Sequence, residues 1–197
     1  MPMNILLANL TKMVDDSGGL AKVTCSFANE MKRRGHIVSL VYSDIQTGKF
    51  YYSLDSGIPA YDIRHYKGQS ISFPWYLKVK RELLRVFNKQ KARTVNDDFA
   101  ATYLLRNLSD VLTATQSDII ISFQPAASKM LLCDLQTKIP VITMSHGDPE
   151  DYFHTYPKEQ LPALEKSAVL QVMVPAFEQP LHEHMHHVRT VVIANAI

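Results

Sequence analysis

The stretch SGGLAKVTCSFANEMKRRGHIVSLVY, Ser17 to Tyr42, decides the fold. Leu20, Val23, Phe27 and Met31 recur at spacings of three and four, with Lys22, Glu30, Lys32, Arg33 and Arg34 between them. That is the period of an amphipathic helix. Ser17 suits its N-cap and Gly35 its C-terminal stop. His36 to Tyr42 reads as an apolar strand, and upstream MNILLAN, Met3 to Asn9, as a short buried one. Strand, helix and strand make a β-α-β unit, parallel and right-handed. The glycine pair poses a functional question, because two glycines at a helix start cost backbone entropy. Either they form only a tight turn, or they leave the backbone N–H groups and the positive end of the helix dipole open to a phosphate. Neither GxGxxG nor GxxxxGK[ST] is present, so the usual dinucleotide and P-loop motifs are absent.

The same alternation continues outward. Short strands are predicted at Tyr61 to His65, Asp118 to Phe123, Pro140 to His146, Val169 to Pro175 and over TVVIAN, residues 190 to 195. Helices are predicted at Pro74 to Arg93, Asp97 to Thr113, Ala126 to Thr137, Lys158 to Ser167 and Ala176 to His187. Strands alternating with helices along the whole chain predict an α/β fold: a Rossmann-like, doubly wound, mostly parallel sheet with helices on both faces. The 197 residues suit one domain, and a chain stopping at Ile197 after a strand, with no closing helix, is expected to be one half of a longer protein.

Composition narrows the class. The net charge of +2 is too mild for a general nucleic-acid binder, so nucleic acid is not an expected partner and anion binding must be local. Cys25 and Cys133 both sit in apolar helical patterns and read as reduced core residues of a cytoplasmic protein rather than a disulfide. No apolar run reaches the ~18 residues of a membrane span, and MPMNILLANL lacks the basic segment of a signal peptide.

In open α/β sheets ligands sit beyond the carboxyl ends of the strands. There SHGDPEDYF, residues 145 to 153, offers His146, Gly147, Asp148 and Tyr152, and SFQPA offers Gln124. A strand-end histidine hydrogen-bonds a substrate hydroxyl, or merely a neighbouring carbonyl. Asp44, near the end of the second strand, is where a nicotinamide enzyme would place an acid, against which the missing glycine motif counts. HEHMH, His182 to His186, satisfies HExxH with Glu183 as base, but too little chain follows for a third zinc ligand, so it reads as a chance match on a surface helix. The helix from Pro74 carries Tyr76, Val79, Leu83, Val86 and Phe87 on one side and Lys78, Arg81, Arg85, Lys89 and Arg93 on the other. It is either a packed helix with a solvated basic face or a patch for an anionic membrane surface or a phosphate-bearing acceptor.

The opening stretch resembles the start of family 4 glycosyltransferases of the two-domain GT-B type, through Gly18, Gly19, Phe27, Ala28, Met31, Arg34, Gly35, His36 and Val38. IPVITMSHGD resembles that family's strand ending in histidine, and VVIANAI its crossing to the C-terminal half, from which Ala194 and Ala196 depart. The resemblance implies an acceptor-side N-terminal domain, with the nucleotide-sugar-binding domain missing from this chain. It implies a retaining hexosyl transfer from a nucleotide-sugar to a glycan or lipid-linked acceptor, in cell-surface polysaccharide synthesis. It implies, further, that no cofactor and no metal are required and that this half alone is inactive. By resemblance Gly18, Gly19 and Gly147 face the donor, and His146 contacts the donor sugar. If the chain is such a half-enzyme, Asp16, Ser17, Gln124, Asp148 and Tyr152 along the strand-end rim are the expected acceptor contacts. A non-catalytic phosphate- or sugar-binding domain of the same fold is the alternative.

Overall fold

A computed structural model describes residues 1–194; Asn195, Ala196 and Ile197, with their part of the predicted last strand and crossing segment, lie outside it. The elements are β1 (Asn4–Asn9), α1 (Gly19–Arg33), β2 (Ile37–Tyr42), β3 (Ala60–Asp62), α2 (Trp75–Phe87), α3 (Lys89–Phe99), α4 (Leu105–Thr115), β4 (Ile119–Ser122), α5 (Pro125–Lys129), β5 (Val141–Met144), α6 (Glu150–His154), α7 (Leu161–Lys166), β6 (Val169–Val172), α8 (Glu178–His184) and β7 (Thr190–Val192). The seven strands form one parallel sheet in the order β3-β2-β1-β4-β5-β6-β7.

β1 sits inside this sheet, and its residues alternate between two cores. Ile5 and Leu7 pack under α1 with Cys25, Ala28, Val38 and Leu40. Leu6 and Ala8 pack on the other face with Leu108, Val111, Ile120 and Leu131. Both faces are therefore buried, which is why the strand reads as continuously apolar. Directly over the sheet α1 presents small residues, Ala21, Thr24, Cys25 and Ala28, all buried. Leu20, Val23, Phe27 and Met31 flank this line and are only partly buried. Small residues in the middle let the helix axis lie close to the strands.

Several sequence-based expectations change. Gly18, not Ser17, is the N-cap of α1, and no side chain caps it. Gly35 does end the helix region, at φ +87°, where a Cβ would be strained. The helix predicted over Pro74 to Arg93 breaks at Asn88, whose extended backbone ends α2 and whose side chain accepts from the Lys91 N–H to begin α3. The predicted Asp97 to Thr113 helix is α3 running into α4 through a π-helical turn at Ala100–Leu104. A second π turn, Met130–Asp134, follows α5. α6 forms where a loop was expected, with Pro149 before it and Glu150 and Asp151 in its first turn. α8 stops at His184. Cys25 is buried as expected, and burial pushes its thiol up to about 11, whereas Cys133 is only half-buried.

Candidate functional site

A cleft of about 370 Å³ opens at the carboxyl end of the sheet, between the start of α1 and the loops after β4 and β5. Its lining includes Gly19, Leu20, Gln124, His146, Asp148 and Tyr152. Six of the site residues predicted from sequence, Gly19, Gln124, His146, Gly147, Asp148 and Tyr152, thus meet around one space. Asp16, Ser17 and Gly18 do not line it.

The two glycines differ. A Cβ on Gly18 would come within 3.1 Å of the Asp16 carboxylate, which accepts the Gly18 N–H. A Cβ on Gly19 would meet nothing within 4 Å, and Gly19 has no left-handed backbone to satisfy. Neither internal packing nor conformation requires glycine at position 19, so what a side chain there would obstruct is the cleft itself. The first turn of α1 contains no acidic residue and no side-chain cap, leaving its free N–H groups and positive dipole end at the cleft wall. Ser17 acts through its carbonyl, which accepts the Tyr52 hydroxyl at 2.8 Å.

His146 lies stacked on Phe123, ring centroids 5.6 Å apart and planes within 5°. Phe123 in turn meets Phe27 of α1 edge-on at 6.2 Å. This aromatic column holds the imidazole half-buried, and that burial pulls its pKa below the ordinary histidine value, favouring the neutral ring. Its Nε2 is buried without a hydrogen-bond partner. Such an atom costs about 1–3 kcal/mol until something bonds it. Gln124 has the same character. Its Nε2 donates to Asn9 Oδ1 at 2.6 Å, while its Oε1 is buried and unpartnered. Asn9 is fully buried and donates to Thr24 Oγ1 at 2.9 Å, tying the end of β1 to α1 and to the β4 loop.

The other rim residues divide. Asp148 is exposed and accepts the Glu150 N–H at 3.0 Å. Tyr152 is 4% exposed, belongs to the core with Leu164 and Leu170, and bonds Ser145; burial raises its phenol, so it is wall rather than open rim. Of the basic residues on the predicted patch, Arg81 is half-buried over the Phe73 ring and bonds Asn96, whereas Lys78, Arg85 and Lys89 are exposed.

Asp44 is engaged elsewhere. It is 2% exposed and accepts backbone N–H groups from Met13 at 2.7 Å, Val14 at 2.8 Å and Gln46 at 3.0 Å. Burial pushes its carboxyl up, but these backbone donors outweigh burial and hold it below the usual carboxylate range. It clips the loop between β1 and α1 and is not free to hold a ribose. His182 and His186 share no helix face, because α8 ends between them; His182 lies 3.2 Å from Thr190 Oγ1. Among the described residues no three His, Cys, Asp or Glu side chains gather to hold a metal ion.

Sequence reasoning missed Phe123, whose place at the end of β4 was the available signal. It also missed a smaller cavity of about 160 Å³, lined by Arg64, Asp97 and Lys129 and by residues of both π turns. Nothing in a 3.6-residue period announces a π turn.

No protein-family profile and no curated protein matches the chain. Solved structures do. A sucrose-phosphate synthase from Thermosynechococcus elongatus superposes with a TM-score of 0.67 at 11% identity, over 96% of this chain and 47% of that one. An α,α-trehalose 6-phosphate synthase from Burkholderia multivorans gives 0.58 at 14% identity, over 100% and 50%. The lipopolysaccharide outer core galactosyltransferase WaaB, in its apo form, gives 0.59 at 14% identity, over 98% and 46%. The chain has the fold of a GT-B half-domain. It spans about half the length of these three structures, and at these identities the likeness is one of fold. In this half-domain the cleft occupies the strand ends that a doubly wound sheet gives to ligands.

Proposed function

We propose that this chain is the acceptor-side half of a glycosyltransferase, moving a sugar from a nucleotide-sugar to a glycan or lipid-linked acceptor. The observation that carries the reading is the pairing, across one cleft, of an unobstructed Gly19 at the start of α1 with the unpartnered Nε2 of a rigid, neutral His146. The N–H groups and dipole of α1 suit the diphosphate, with Asp16 keeping the anion toward Gly19 rather than Gly18. A neutral imidazole suits a sugar hydroxyl better than an imidazolium would, and Gln124 Oε1 accepts from a second hydroxyl. Charge building on the leaving diphosphate is met by the helix end and by a second domain, so no metal is required of this half. Retention of configuration, a role in cell-surface polysaccharide synthesis and a cytoplasmic setting are parts of the same proposal.

The first test is the intact mass of the native protein, where a value near twice the 22.3 kDa of this chain brings in the second domain. That longest natural form is then assayed against a panel of nucleotide-sugars. Release of nucleoside diphosphate is expected, with His146→Ala lowering kcat at least 100-fold and Gly19→Val raising the donor KM. Donor binding without turnover selects the non-catalytic binding domain. No binding by any nucleotide-sugar sinks both.

A further inference from the structure

α2 differs from every other long helix in having no buried residue. Trp75, Val79, Leu83, Val86 and Phe87 are 76%, 51%, 62%, 78% and 86% exposed. At 100° per residue they share one face with Tyr76, an arc of about 120°. The helix is held to the body by its opposite side, where Leu77, Arg81 and Leu84 are half-buried toward α3. Tyr76 adds a hydroxyl contact with Tyr103 at 2.9 Å. Its orientation is therefore set by packing, and the apolar stripe faces outward.

Charge says what covers it. Between Trp75 and Arg93 stand seven basic residues and one acid, Glu82. Lys78 and Arg85, with Glu82 between them and the stripe, border the apolar arc on one side and Lys80 on the other. Beside α2 a groove of about 410 Å³ is lined by Arg81, Arg85, Lys89, Ala92, Arg93 and Asn96. Glu82 pairs with Arg81 at 3.1 Å and with Arg85 at 3.6 Å, whereas Lys89 and Arg93 have no carboxylate partner among the described residues. A second copy of the chain in a two-fold contact would bring these like charges together. An apolar face bordered by lysine and arginine, with Trp75 at one end, matches a helix lying in the headgroup layer. We propose that α2 docks on the surface of an anionic lipid bilayer, its apolar face entering the acyl boundary and the basic groove receiving lipid phosphates. Nothing in this argument depends on the transferase reading.

Trp75 is the single tryptophan and sits in the stripe. The longest natural form of the chain, with any tryptophan outside residues 1–197 replaced by phenylalanine, is mixed with vesicles of phosphatidylcholine, alone or with phosphatidylglycerol, while tryptophan emission is followed. Anionic vesicles are expected to shift the emission to the blue, brominated acyl chains to quench it, and neutral vesicles to bind at least tenfold more weakly. The exposed triple variant Val79→Ser, Leu83→Ser, Val86→Ser should lose at least tenfold in partitioning with an unchanged far-ultraviolet circular dichroism spectrum. Lys78→Gln, Lys80→Gln, Arg85→Gln and Lys89→Gln together should lose about fivefold per charge. The proposal fails if neutral and anionic vesicles bind alike, or if neither shifts the emission. It fails equally if the shift needs only high protein concentration, which means a second copy, or if Trp75 is already shielded in the longest form and indifferent to lipid, which means another domain covers it.

Discussion

α1 and α2 carry equally clear amphipathic patterns, yet one helix lies on the sheet and the other turns its apolar side to solvent. In α1 the core-facing line is small, Ala21, Thr24, Cys25 and Ala28, with larger residues at its flanks. In α2 the exposed face itself is large: Trp75, Leu83, Val86 and Phe87. Periodicity specifies that a helix has an apolar side; it does not specify what lies against it. Residue size is the better indicator here, since only small side chains allow a helix to settle closely on parallel strands.

The contrast can be strained from its strongest support downward. Asp44→Ala leaves the Met13 and Val14 N–H groups buried without their acceptor and should cost about 3 kcal/mol in urea unfolding, freeing the loop that leads into α1. A loss below about 1 kcal/mol would mean that water takes over the clip. Ala28→Leu forces a large side chain into the fully buried α1–sheet contact and should cost about 2 kcal/mol. A neutral result there would refute the close-approach account of α1.

A smaller effect concerns pH. His146 is held neutral by burial, so the unfolded chain binds its proton at higher pH than the folded one. Stability should therefore fall as pH drops from about 7 to about 5, and His146→Gln should remove that part of the slope in denaturation midpoints. The smallest effect is expected on α2, where Leu83→Ser should change stability by no more than about 0.5 kcal/mol while raising solubility. A loss of 2 kcal/mol there would mean that the apolar face is covered in solution.

Much of this was legible in the sequence. Continuous apolar runs gave the parallel strands because both faces of the sheet are covered, and Gly35 marked the end of the α1 region. Gly19, Gln124, His146, Gly147 and Asp148 meet at one cleft because the loops that follow parallel strands share one edge of the sheet. What escaped depended on tertiary contacts. Asn88 is an ordinary cap residue that becomes a break only because α3 departs in a new direction. Tyr152 looks like a loop residue until α6 forms and buries it. Asp44 resembles a ribose-binding acid in register, but three backbone donors had already claimed it.

The position of β1 has a kinetic consequence. It pairs on one side with β2, through partners such as Ile5 and Val38, and on the other with β4, where Ile5 meets Ile119. A ribosome therefore delivers the β1-α1-β2 unit early, while the other edge of β1 stays bare until residue 122 has emerged. At about 5–20 residues per second that wait is roughly 4–16 s. Throughout it an apolar strand edge is open to any passing strand. This makes the nascent chain, rather than the finished fold, the state most in need of a chaperone.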